Sequence, residues 1–195
     1  MKTTYEYYEV GGKSAVVMRR TMNRHGVRWT DGKTYDAVTR WHVNWTFEYA
    51  ETDGGCTVTN VRTHVDVVIR LPRWTGRADA SPALRDRWDS YISALHRHEL
   101  GHRQFGMRAA EEIAEALTRM EPTTNCGGLE TEVNALGHEI LEKYRREEIA
   151  YDRNTRHGFT NPEAGAYGMD ALAYNPDSDR RSWEYMTYFF KEIFP

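Results

Sequence analysis

The chain has 195 residues, 39% of them apolar, with a formal net charge of −3 at pH 7. Its mean hydropathy is −0.77 and its pI about 6.2. That length suits one domain with a sizeable core, or one domain with a tail. The acidic balance leaves no basic field to draw in nucleic acid, and no apolar run is long enough to span a membrane.

In chain order, Tyr5 to Val10 reads as a short strand broken by Gly11-Gly12. Ser14 to Arg24 reads as a helix with Val17, Met18 and Met22 on one side and Gly26 at its C-cap. From Trp41 the pattern alternates: Trp41, Val43, Trp45, Phe47 and Tyr49 against His42, Asn44, Thr46 and Glu48, which predicts a half-buried strand. Asp53-Gly54-Gly55 signals a turn, and a second alternating run, Val61 to Ile69, completes an antiparallel hairpin expected to end at Leu71-Pro72. Ser81-Pro82 then caps a helix that can run unbroken to about Arg119, with Gly101 and Gly106 tolerated at some cost. Residues 122–128 read as a loop, and Leu129 to about Ile149 as a second helix with Leu129, Val133, Leu136, Ile140, Leu141 and Tyr144 on its apolar side. After Tyr151-Asp152 the pattern collapses; residues 159–180 read as irregular surface chain and Trp183 to Phe194 as a short aromatic helix docking on the body. The fold class is therefore α+β: an N-terminal antiparallel sheet, a long helix and a second packed helix.

Within the long helix, His98-Glu99-Leu100-Gly101-His102 reads H-E-x-x-H. Residues four apart share one helix face, so the two imidazoles can reach one metal ion, with Glu99 beside them to handle the proton of a coordinated water. A solvated face that happens to hold two histidines would not lie on an apolar stripe. Here Trp88, Tyr91, Ile92 and Leu95 precede the pair and Phe105, Ala109, Ile113, Ala116 and Leu117 follow it at helical spacing. Buried imidazoles need partners, and a shared cation is an economical one.

A catalytic zinc usually keeps three protein ligands. The extended metzincin motif would need Gly at 105 and His at 108, where Phe105 and Arg108 stand. A glutamate on the following helix is not specific, because Glu130, Glu132, Glu139, Glu142, Glu147 and Glu148 are all available. The segment Tyr151 to Gly158 offers His157 as the preferred third ligand and Asp152 as the alternative, with Asp152 otherwise fixing an imidazole tautomer. Tyr151 or Arg156 is a candidate for stabilising an oxyanion. His96, His25, His42 and His64 carry the bland expectation of exposed or structural side chains, and His138 stays a weak metal candidate.

Cys56 and Cys126 are Gly-flanked and spaced wrongly for a zinc ribbon. A disulfide joining the hairpin to the segment after the long helix is favoured over two free thiols and would mean an oxidising compartment.

Several segments together resemble a family of mostly secreted bacterial proteins regarded as zinc-dependent proteases, the domain of unknown function 922. They are Tyr8-Glu9-Val10-x-Gly12, Tyr35-Asp36-x-x-Thr39-x-Trp41, Cys56, Leu71-Pro72-Arg73-Trp74, Trp88, Leu95-x-x-His98-Glu99-x-Gly101-His102, Cys126 and Tyr151-Asp152-x-x-Thr155-x-His157-Gly158. The resemblance covers roughly residues 5–158. It implies a zincin-like metallopeptidase fold; the domain is expected to span residues 1–158, and residues 159–195, which the resemblance does not reach, are expected to form an irregular extension packed on it. It also implies Zn2+ on His98 and His102 and Glu99 as catalytic carboxylate; the expected substrate is a peptide or protein, which the hairpin's edge strand could align by strand addition. Secretion or a periplasmic location follows from the resemblance, yet MKTTYEYYEV lacks the apolar stretch of a signal peptide, which leaves the cytoplasm open. The competing expectations are a zinc amidase acting on a non-peptide or cell-wall substrate, and a non-catalytic binding module on the same scaffold. Oligomeric state is not legible.

Overall fold

A computed structural model describes residues 1–28 and 34–156, without the side chains of 153, 154 and 156. The expected extension at 159–195 and its aromatic helix lie outside the described residues. The elements follow in order: β1 (Lys2–Val10), α1 (Ala15–His25), β2 (Val27–Arg28), β3 (Thr34–Tyr35), β4 (Val38–Thr52), β5 (Gly55–Trp74), α2 (Pro82–Thr118), a single 3-10 turn (Cys126–Gly128) and α3 (Leu129–Arg156). The architecture is mixed α+β, with a sheet and three helices. Among the described residues no helix is long and apolar enough to cross a membrane.

The caps are local. The Ser14 hydroxyl accepts from the Val17 N–H, the Ser81 hydroxyl from the Leu84 N–H, and the Gly26 N–H closes α1 on the Met22 carbonyl. Pro82 occupies the first turn of α2, where its missing N–H costs nothing.

The sheet is not purely antiparallel. Its order is β1-β5-β4, with β4 antiparallel to β5 but β1 parallel to β5 from Lys2↔Asp66 to Val10↔Trp74. Side-chain alternation marks a strand without saying which way its neighbour runs. The chain between β1 and β5, which carries α1 and β4, is long enough for the crossover that a parallel pair needs. The same neighbour explains why β5 runs through Pro72 to Trp74 instead of ending at Leu71-Pro72. Pairing with β4 stops at Arg70↔Val38, so Pro72 lies where one side of the strand has no partner.

Alternate β5 residues, Val65, Val67, Ile69 and Leu71, are buried under Phe105, Ala109, Ile113 and Leu117 of α2 and Val133, Ile140, Leu141 and Tyr144 of α3. Each fully buried aliphatic side chain stabilises the fold by roughly 1.5–3 kcal/mol. A second cluster, Tyr8, Val10, Met18, Met22, Trp74 and Trp88, holds α1 against the start of α2.

α3 continues past Ile149 to Arg156. Tyr151, Asp152 and Thr155 are therefore helical residues and not the start of a loop. The apolar period does not stop at Tyr144; it is carried on by Glu148, Tyr151, Asp152 and Thr155, which face the site described below.

Cys56 and Cys126 form a disulfide, with Cα atoms 5.4 Å apart and a sequence separation of 70. The backbones beside it are also joined: Cys56 N–H donates to the Thr123 carbonyl at 2.7 Å and Thr123 N–H to the Cys56 carbonyl at 3.0 Å. Gly55 makes this approach possible, since its φ is +117° and a Cβ there would sit 2.4 Å from the Thr123 oxygen. Closing a loop of this length in the unfolded chain is worth about 4 kcal/mol in the chain-entropy view. Cys126→Ser is accordingly expected to lower the unfolding free energy by an amount approaching that figure, read as a fall in the denaturant midpoint at unchanged slope. An unchanged midpoint under non-reducing conditions would contradict the link.

Candidate metal centre

His98 and His102 lie one turn apart on α2, and their rings converge. The two Nε2 atoms are 3.0 Å apart. α3 crosses at this level and supplies Asp152, whose Oδ1 is 3.3 Å from His98 Nε2 and 3.2 Å from His102 Nε2. Three donor atoms on two helices thus form a nearly equilateral triangle. Ligands at 2.0–2.1 Å from a tetrahedral zinc lie about 3.3–3.4 Å from one another, so the triangle matches one face of such a polyhedron closely. His98, His102 and Asp152 form a group able to hold a metal ion.

The far sides of both rings fix which nitrogen is available. His102 Nδ1 lies 2.8 Å from Glu148 Oε1, and an ionised carboxylate can only accept, so Nδ1 carries the hydrogen. Thr155 Oγ1 donates to the Tyr151 carbonyl at 2.8 Å, which leaves it to accept from His98 Nδ1 at 3.0 Å. Both Nε2 lone pairs then point into the triangle, as in sites where an outer hydrogen bond orients a metal-binding histidine. Glu148 is steadied in turn by the Trp41 indole N–H at 3.0 Å.

The charge balance favours a cation. Glu99, Glu148 and Asp152 surround two imidazoles. Burial lowers the His102 pKa, but hydrogen bonds with Asp152 and Glu148 outweigh it and push the value up to about 9. A proton on His102 is the smallest positive charge that relieves the crowding.

Glu99 points from the same helix into the protein and is only 1% exposed. Its Oε2 accepts from the Thr39 hydroxyl at 2.8 Å, and its backbone carbonyl lies 3.1 Å from the same hydroxyl. A cleft of about 450 Å3 opens here, lined among others by Tyr35, Thr39, Trp41, Arg145, Ile149 and the residues of the triangle. The chain entering β4 beside the cleft is anchored at Asp36. Asp36 takes both Nη1 contacts of Arg19 at 2.8 and 2.7 Å and the Tyr91 hydroxyl at 2.6 Å, while its carbonyl accepts from Tyr8 at 2.8 Å. Burial raises the Tyr91 pKa and the Asp36 charge raises it further, so Tyr91 stays a donor. One acidic residue ties α1, α2 and β1 to the start of the strand that faces the site.

The expected site residues fall out as follows. His98, His102 and Glu99 are brought together on α2, and Asp152, the alternative third ligand, completes the triangle. His157 lies outside the described residues, as does the Arg156 side chain. Tyr151 is close to the centre but does not line the cleft. Its ring stacks on His98 with centroids 5.2 Å apart and meets His102 and Phe105 edge-on, while its hydroxyl donates to the His98 carbonyl at 3.1 Å. Of the other histidines, His25, His42, His64 and His138 are exposed, and half-buried His96 contacts the Tyr5 hydroxyl away from the triangle. The residues alone assign no role to Thr39, Trp41 or Thr155, and name Glu148 only as one of six glutamates open to ligation. Thr39 and Trp41 project two apart from one strand, and Glu148, Asp152 and Thr155 recur at helical spacing on α3; those periods are the signal that could have found them.

The sequence profile of a family described as "Bacterial protein of unknown function (DUF922)" matches residues 5–158. No curated protein and no solved structure matches the chain.

Gly101 is a contact and not a slack point in α2. A Cβ there would sit 2.1 Å from the Tyr151 hydroxyl and 2.4 Å from Cζ, and that ring is held on three sides. Elsewhere in a helix Gly→Ala stabilises by about 1 kcal/mol. Gly101→Ala should do the reverse, destabilising by about 1–3 kcal/mol as overpacking does. Thermal denaturation checks the sign, and a stabilised variant would contradict the packing.

Proposed function

The chain belongs to the bacterial family of unknown function DUF922, and we propose that it is a zinc-dependent peptidase with a zincin-like site on α2. One observation carries the reading: His98 Nε2, His102 Nε2 and Asp152 Oδ1 lie 3.0–3.3 Å apart beside an open cleft, with Glu99 next to them on the same helix. Two imidazoles and a carboxylate are a donor set of catalytic zinc, and a three-ligand centre keeps a position for water.

His98, His102 and Asp152 would hold the ion, and Glu148 and Thr155 keep the two rings in the tautomer that ligation needs. When bound, zinc supplies a Lewis acid that brings the pKa of a coordinated water toward neutrality. Glu99 takes the proton of the attacking water and returns it to the departing amine. Tyr151, wedged between His98, His102 and Phe105, acts as a buttress for the rings. β4 is an edge of the sheet and its first residues line the cleft, so an extended peptide can pair alongside it with the scissile bond near the centre. The disulfide fits an oxidising compartment, and the proposal therefore includes a secreted or periplasmic location.

Purified protein is expected to carry one zinc per chain and to cleave members of a mixed peptide library. Glu99→Gln should keep its zinc and lose activity by at least about 10²-fold, the usual contribution of a general base. An active Glu99→Gln variant, or a protein that takes up no zinc, would overturn the proposal. Cleavage of peptidoglycan fragments with no turnover of peptides would keep the chemistry and reject the substrate.

A further inference from the structure

We infer that Thr39 is a positioning residue for Glu99: its hydroxyl sets the direction in which the base presents its carboxylate. The inference rests on the hydrolase reading of the centre and deepens it. Glu99 has three side-chain torsions and is almost fully buried, at 1% exposure. A carboxylate in such a place needs a hydrogen-bond donor. Thr39, itself buried, provides one across the gap between β4 and α2, at 2.8 Å from Oε2. Its hydroxyl has a single hydrogen. The longer 3.1 Å approach to the Glu99 backbone carbonyl is thus the weaker half of a shared contact, and the side chain takes the better geometry.

Threonine suits this task better than serine. A β-branched side chain on a strand is stiff about χ1, so the hydroxyl direction is inherited from the backbone of β4. That backbone is anchored three residues earlier, where Asp36 is gripped by Arg19 and Tyr91. Two residues later, Trp41 reaches Glu148, the partner of His102. One strand face therefore bears on both working parts of the centre: Thr39 on the base and Trp41, through Glu148, on a ligand. Of the two, Thr39 is the one in direct contact with the base. With Oε2 held by this bond, the range of carboxylate orientations narrows, and less of the productive geometry has to be found anew in each turnover.

The test uses the full chain, zinc-loaded, with Thr39→Val, Thr39→Ser, Glu99→Met and the Thr39→Val/Glu99→Met double variant, methionine replacing glutamine because an amide oxygen would still accept from the Thr39 hydroxyl. Valine keeps the shape and loses the hydroxyl; serine keeps the hydroxyl. Thr39→Val is expected to retain zinc and KM while kcat falls about 10- to 100-fold, with Thr39→Ser within about threefold of the wild type. Independently of activity, the unfolding equilibria of the wild type, Thr39→Val, Glu99→Met and the double variant form a double-mutant cycle. Its coupling should exceed about threefold in the equilibrium constant, as expected for residues in direct contact. Wild-type kcat in Thr39→Val, equal losses in the valine and serine variants, or additive effects in the cycle would each overturn the inference. A wild type that binds zinc yet turns over no substrate would contradict the hydrolase reading alone, and the cycle would still decide the contact.

Discussion

Two imidazole nitrogens 3.0 Å apart, each within 3.3 Å of the same carboxylate oxygen, cannot rest on their lone pairs alone. Something positive has to lie between them, a proton or a metal ion, and much of the surrounding structure makes sense as support for that requirement. The outer hydrogen bonds of both rings aim their lone pairs inward. Tyr151 fills the space under them so that they cannot rotate away. Glu148 and Asp152 add negative charge on opposite sides of His102. Any one of these contacts is modest in free energy; together they hold a geometry that would otherwise be repulsive.

The lengths of the helices serve the same end. α2 spends its C-terminal half in the main core, under Val65 to Leu71, and that packing fixes the height and rotation of the turn carrying the histidines. α3 begins in the core at Leu129 and ends at the site, so its first turns supply stability and its last turns bring Glu148, Asp152 and Thr155 to the two imidazoles. The disulfide and the Cys56–Thr123 bridge fasten the α2–α3 connection to the hairpin at the far end. The relative placement of the two helices is thus set from both ends.

Much of this was legible beforehand. The H-E-x-x-H spacing named three of the central residues because helical periodicity is strictly local. Strand alternation marks the middle of β4 and of β5, and the glycine-flanked cysteines point to their pairing. What escaped has a physical reason in each case. The parallel pairing of β1 depends on a partner some sixty residues away and leaves no mark in its alternation. The end of α3 was placed too early because a buried stripe is sought by its apolar residues, and here the stripe continues in polar ones: Glu148, Asp152 and Thr155 are inward-facing because they have a centre to face. Thr39 and Trp41 looked like ordinary members of a half-buried strand, and their roles exist only where β4 passes α2 and α3. Polar residues on an otherwise apolar face are the trace that such a crossing leaves.

The central claim is that one cation is held by His98, His102 and Asp152. X-ray absorption at the zinc edge, recorded on the zinc-loaded full chain and on its Asp152→Ala and His157→Ala variants, addresses it directly. The account predicts two imidazole nitrogens and at least one carboxylate oxygen at about 2.0–2.2 Å in the wild type, the same shell in His157→Ala, and a loss of zinc or of that oxygen in Asp152→Ala. Zinc retained unaltered in Asp152→Ala but lost from His157→Ala, or a bound metal with no histidine in its shell, would contradict it.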